Sequence, residues 1–212
     1  MTVLPALALG VALGVRHATD ADHVAAVGTI VTESRSAGRA ALIGVAWGAG
    51  HSVSVLLVGG ILIVLRIPMP VRVALAFEFL AALMLIGLGV RSLVRGTTAA
   101  QAMSAVRPLA IGIVHGLAGT AVLALLVLGA TRDAVSAVAY LVSFCLGTII
   151  GMSAITAALA LTARYGAQRL LTFDRGVRVA AGIVSLAIGL ALAHRVTMRD
   201  GLFAATPSWT PE

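Results

Sequence analysis

The chain has 212 residues, of which 60% are hydrophobic and only 11% charged, and its mean hydropathy is +1.07. Soluble domains carry about 25% charged residues, so this composition argues against a water-soluble fold and for a polytopic membrane protein. The net charge of +7 comes from fifteen arginines and no lysine; they stand between apolar runs, where topology signals belong, and no nucleic-acid partner is expected.

Six apolar runs follow one another at 4–31, 41–65, 71–94, 108–130, 135–162 and 177–193. Each is close to the ~20 residues a helix needs to cross the hydrocarbon core. No room is left for a soluble domain, so residues 1–212 read as one all-α integral membrane domain of six transmembrane helices, with a tail at 194–212. The N-terminus, Met1-Thr2-Val3-Leu4, lacks the basic region of a cleaved leader, and run one is expected to be retained. Nine arginines fall on one side of this layout: Arg35, Arg39, Arg91, Arg95, Arg107, Arg164, Arg169, Arg175 and Arg178. Five fall on the other: Arg66, Arg72, Arg132, Arg195 and Arg199. The positive-inside rule then places both termini outside.

Run one carries Arg16-His17-Ala18-Thr19-Asp20-Ala21-Asp22-His23 with apolar sequence on either side. Burying its three formal charges at mid-membrane costs ~2.5–3.5 kcal/mol each on the insertion scale, which a self-neutralising Arg16–Asp20 pair would not justify. On an unbroken helix turning ~100° per residue, His17, Asp20 and His23 share one face, while Asp22 points more than about 100° away from Asp20. Asp22 is therefore expected either to orient an imidazole from a neighbouring helix or to turn inward at a distortion.

Run two contributes His51, in Gly50-His51-Ser52, and run four contributes His115. Counted from the helix ends, His23, His51 and His115 lie ~10–15 Å deep and can converge. Imidazole with carboxylate suits nickel, cobalt or zinc, and the absence of thiolate ligands disfavours copper(I). The candidate metal residues are thus His17, Asp20, Asp22, His23, His51 and His115, with Arg16, Ser52 and Glu78 in support. Arg16 would hold a carboxylate or act as an internal counter-charge; Glu78, about two turns into run three, could gate or relay protons. Trp47 is expected to pack beside the site and His194 to lie at the membrane interface. Cys145, the single cysteine, reads as a packed apolar thiol, and no disulfide or C-x-x-C pair can be drawn.

Sliding the chain against itself by roughly a hundred residues lays Leu13-Gly14-Val15-Arg16-His17 over Ile111-Gly112-Ile113-Val114-His115. Gly50-His51-Ser52 then falls near Gly151-Met152-Ser153, and Ile86-Gly87-Leu88 near Ile188-Gly189-Leu190. Three crossings per copy make the second copy inverted, so the fold expected is two inverted three-helix repeats, about 4–94 and 108–193, with the site between them. Gly10/Gly14, Gly44/Gly48, Gly112/Gly116 and Gly147/Gly151 have the small-residue spacing of close helix contacts, which puts runs one, two, four and five at the centre.

These motifs resemble the nickel/cobalt transporter family, NiCoT, particularly its short urease-accessory nickel permeases. Arg16-His17-Ala18-Thr19-Asp20-Ala21-Asp22-His23-Val24 follows the family's R-H-A-x-D-A-D-H-I signature with one conservative change at the end, and Gly50-His51-Ser52 matches its G-H-S motif. Longer members have more spans, and residues 146–152 keep only the glycine and methionine positions of a later motif. The resemblance implies that His17, Asp22 and His23 are the nickel-critical group, with Asp20 and His51 close by.

The expectation is a permease, not an enzyme, that moves Ni²⁺ or Co²⁺ across a bacterial cytoplasmic (inner) membrane, with import favoured. The metal is substrate rather than prosthetic group; the other partners expected are membrane lipid and a cytosolic metallochaperone of urease or hydrogenase maturation. Its rivals are a divalent-metal efflux permease, which a long His-rich loop would favour, and a small-solute or amino-acid exporter, which has no use for the histidines. A membrane-bound metal enzyme would need an open coordination position and a general base at the surface.

Overall fold

A computed structural model describes residues 3–31, 36–94, 106–130, 133–167 and 173–208. Among them are seven helices and no strand: α1 Val3–His17, α2 Ala21–Val31, α3 Ala37–Leu65, α4 Val71–Val94, α5 Val106–Ala130, α6 Ala134–Ala167 and α7 Phe173–His194. The six-helix expectation is corrected at run one, which is two helices. Thr19 N and Asp20 N bond the carbonyls of Arg16 and His17, three residues back, at 2.8 and 3.0 Å. The Thr19 hydroxyl also donates to Arg16 O, at 2.6 Å. These tight bonds end α1, and α2 starts where Val24 N donates to Asp20 O at 3.0 Å. Thr and Asp offer the backbone such alternatives to helix, which an apolar run would not.

Ala37–Leu65, Val71–Val94, Ala134–Tyr165 and Arg175–Arg199 are long and apolar enough to cross a membrane. The fifteen residues of α1 extend only ~22 Å, short of a ~30 Å core, so α1 needs α2 to complete a crossing. α3 contains one π-turn at Val55–Gly59 and ends at Arg66, in the left-handed region at φ 54. Ile67-Pro68-Met69-Pro70 follows and cannot prolong a helix. Asp133 precedes α6, where Ser136 N donates to its Oδ1 at 2.8 Å. That backbone bond holds the carboxyl below the usual carboxylate range.

The main contacts are α1 on α6, α3 on both α5 and α6, and α4 on α7. Each of the eight glycines in the spaced pairs faces another helix so closely that an added methyl would strike it. Gly14 abuts the backbone of Phe144 and Thr148, Gly48 that of Ile149, Gly112 that of Trp47, and Gly147 that of Val11. The centre is thus α1, α3, α5 and α6, as the glycine spacing predicts. Buried hydroxyls add cross-ties: Ser54 Oγ donates to Ile113 O at 2.6 Å and Ser185 Oγ to Leu85 O at 2.9 Å. This packing brings the break between α1 and α2 against the middle of α3 and the first turns of α5.

Candidate metal centre

Ending α1 at His17 and restarting at Ala21 turns the side chains on both sides of the break towards one point. His17 Nδ1 donates to Asp20 Oδ2 at 2.7 Å. His23 Nδ1 donates to Asp22 Oδ1 at 3.0 Å, and the same oxygen accepts from His23 N at 2.9 Å. The other Asp22 oxygen, Oδ2, accepts from His115 Nε2 at 3.1 Å across the gap to α5. A carboxylate that takes the proton of one ring nitrogen leaves the lone pair of the other free to coordinate, the arrangement that orients histidines at metal sites.

The rings crowd together. Centroids are 4.5 Å apart for His17 and His23, 4.1 Å for His23 and His115, 5.2 Å for His17 and His51, and 5.4 Å for His23 and His51. Their donor atoms form two triads, His17/His23/His51 and Asp22/His23/His115, each with all three atoms within 4.8 Å of one another. His23 belongs to both. His23, His51 and His115 are almost wholly buried, at 1%, 0% and 2% exposure. Among the described residues, His23 Nε2, both nitrogens of His51 and His115 Nδ1 nevertheless have no hydrogen-bond partner. A buried polar atom left unpaired costs roughly 1–3 kcal/mol, and a bound cation would relieve those that present a lone pair, at most one nitrogen per ring.

Aromatic rings wall the cluster. Trp47 stacks on His23 at 6.0 Å and meets His115 edge-on at 6.0 Å, while Phe144 lies 5.4 Å from His17. One cavity of about 930 Å³ is lined by the cluster and also by Tyr140, Glu78, His194, Arg195 and Arg199.

Of the residues singled out in the sequence, His17, Asp22, His23, His51 and His115 meet in the two triads, and Asp20 holds His17. Asp22 takes the first of the alternatives left open for it, its carboxylate reaching a histidine of another helix; the helix is also broken here, but Asp20 stays exposed. Arg16 lines the cavity and is exposed, but Asp20 is engaged by His17 rather than by it. Ser52 is not brought to the cluster: its hydroxyl donates to Cys145 O on α6 at 3.4 Å. Glu78 also lines the cavity and is paired with Arg195. His194 is exposed at the end of α7, and Cys145 is a buried free thiol. Arg195 and Asp200 had no place in the site as read from the sequence. The available signal was Glu78 itself, because a carboxylate inside a span needs a cationic partner on another helix.

The chain is similar to the urease accessory protein UreH of Bacillus sp. (strain TB-90), 28% identical over 219 residues that cover 95% of this chain and 96% of that one. No protein-family profile matches it, and no solved structure does.

Proposed function

We propose that this chain is a multi-pass permease of the bacterial cytoplasmic membrane that moves a divalent transition metal, nickel foremost and cobalt second, through the cluster at the α1–α2 break. The observation that carries the proposal is the convergence of four unpaired, buried imidazole nitrogens beside two carboxylates that fix ring orientation. A small-solute exporter has no use for such atoms. The likeness of residues 16–24 to the nickel/cobalt signature and the similarity to a urease accessory protein favour nickel over zinc.

Transport follows from the sharing of His23. A cation that leaves one triad for the other keeps His23 while exchanging two donors. Asp20 holds His17 in register, and both carboxylates offset the charge of the cargo.

The packing supports two inverted repeats, α1–α4 and α5–α7, as parts of one membrane domain. The α1–α6 and α3–α5 contacts stand in equivalent places, with α3–α6 and α4–α7 across the axis. The arginine asymmetry favours termini outside; the direction is import, with a cytosolic metallochaperone as recipient. Cysteines placed within 32–39 and 164–175 should resist an impermeant thiol reagent in intact cells; reaction of both loops from outside would reverse the orientation. Uptake of radioactive nickel into cells expressing the chain, with cobalt and zinc as competitors, tests the function. Uptake no greater than in empty-vector cells, at verified membrane abundance, would refute it.

A further inference from the structure

Tyr140 lines the same cavity as the histidine cluster and has no part in the coordination described above. It stands one helical turn before Phe144 on α6, and the two rings stack with centroids 6.5 Å apart and planes 14° apart. Phe144 in turn lies 5.4 Å from the His17 ring. Leu13 of α1 and Val55 of α3 also line the cavity, and they pack with Tyr140 and Phe144 in one apolar cluster. Among these four side chains the Tyr140 hydroxyl is the polar group.

That hydroxyl is out of keeping with its setting. Tyr140 is 0% exposed, and its oxygen has no hydrogen-bond partner among the described residues. A buried tyrosine usually finds a partner for its oxygen, and one left without is destabilising. Phenylalanine would fill the same space without that cost. The backbone beneath the ring is fixed: Ser143 Oγ donates to Tyr140 O at 2.9 Å, and a Cβ on Gly10 of α1 would lie 2.6 Å from the same carbonyl. Val55 is the first residue of the π-turn in α3, a distortion of a kind frequent at functional sites.

We propose that the Tyr140 hydroxyl bonds the water shell of the transported cation inside the cavity, at the step where water and imidazole exchange on the metal. This rests on the metal-transport reading of the histidine cluster and deepens it, because the species recognised is the hydrated divalent ion. A phenol oxygen accepts as well as donates, and water polarised by a divalent cation is a strong donor to it. The side chains of Leu13, Val55 and Phe144 offer such water no partner. A bond made through water is nearly as good as a direct one, yet it departs with the ion. The hydroxyl therefore eases passage without trapping the cargo, as conduction requires.

The test uses the full chain in lipid nanodiscs and the variant Tyr140→Phe, which removes the oxygen and keeps the ring. Ni²⁺ binding is measured at equilibrium and by stopped flow, and the thermal midpoint is read without metal. Loss of one hydrogen bond to the passing ion should slow association and release alike, about three- to tenfold, with Kd within about twofold of the parent. The metal-free midpoint should equal or exceed the parental one, because an unpaired buried oxygen is gone. Tyr165→Phe, at a tyrosine of α6 that is 64% exposed, should match the parent in every measurement. Parental rates in Tyr140→Phe would overturn the proposal. So would a lowered metal-free midpoint, which would make the hydroxyl part of the folded framework, or a weaker Kd at unchanged association, which would put it on the bound metal. Failure of the underlying metal reading is distinct, since then the parent binds no nickel and His17→Ala changes nothing.

Discussion

His17→Ala and His23→Ala should each abolish nickel uptake at low metal concentration, with the His23 variant the more severe because His23 serves both triads. Removal of a partner that only orients a ligand typically costs 10–100-fold in affinity, and loss of a direct ligand should exceed that. Thermal stabilisation by nickel gives a readout independent of transport. At a metal concentration about 100 times the parental Kd, binding stabilises by ~2.7 kcal/mol, and a hundredfold weaker site retains only ~0.4. Asp20→Asn, which leaves His17 in place and keeps an oxygen for its Nδ1–H but removes the carboxylate charge, should fall in the 10–100-fold range. His194→Ala, exposed at the end of α7, should take up nickel nearly as the parent does at equal abundance. Normal uptake by His17→Ala together with loss in His194→Ala would remove the site from the α1–α2 break.

The polar cluster and the order of the spans were legible because charged side chains inside an apolar run are conspicuous and expensive. The break at 18–20 was not, since hydropathy averages over it and what decides it is local: the Thr19 hydroxyl on Arg16 O and the backbone bonds of Thr19 and Asp20 three residues back. Depth arguments put His23, His51 and His115 at one level, but depth carries no azimuth. That Asp22 reaches His115, 93 residues away, depends on how α5 packs against α3. Ser52 is directed away from the cluster for a related reason. Its neighbour His51 faces the cluster, and the next residue on a helix turns about 100°, here onto α6. Glu78 was recognised as a buried carboxylate, but its partner lies 117 residues on, past the last apolar run, where an arginine reads as a topology charge.

Gly112→Val should damage both folding and the site, although it touches no candidate ligand through a side chain of its own. A Cβ at Gly112 would strike Trp47 O and come within 2.7 Å of Trp47 Cδ1 and 2.9 Å of His51 N. Two of these are backbone atoms of α3, which cannot rotate aside as a flexible side chain would, so α5 and α3 must separate. Overpacking of this kind costs typically 1–3 kcal/mol, and a valine brings two further methyl groups to the same contact. The functional loss should be larger than the thermal one, because the same contact sets the distance between His51 on α3 and His115, three residues beyond Gly112. Gly14→Val is the counterpart: its Cβ would strike Phe144 O and lie 2.8 Å from Thr148 N, three residues before His17. Gly87→Ala is the control, an exposed helical glycine with nothing within 4 Å of an added Cβ; it should leave uptake unchanged and, by helix propensity, stabilise by up to about 1 kcal/mol. The measurement is the thermal midpoint of each purified variant with and without nickel. Gly112→Val and Gly14→Val should lower the metal-free midpoint and nearly abolish the nickel-induced shift, and a parental shift in both would mean that these glycines do not set the spacing of the histidines.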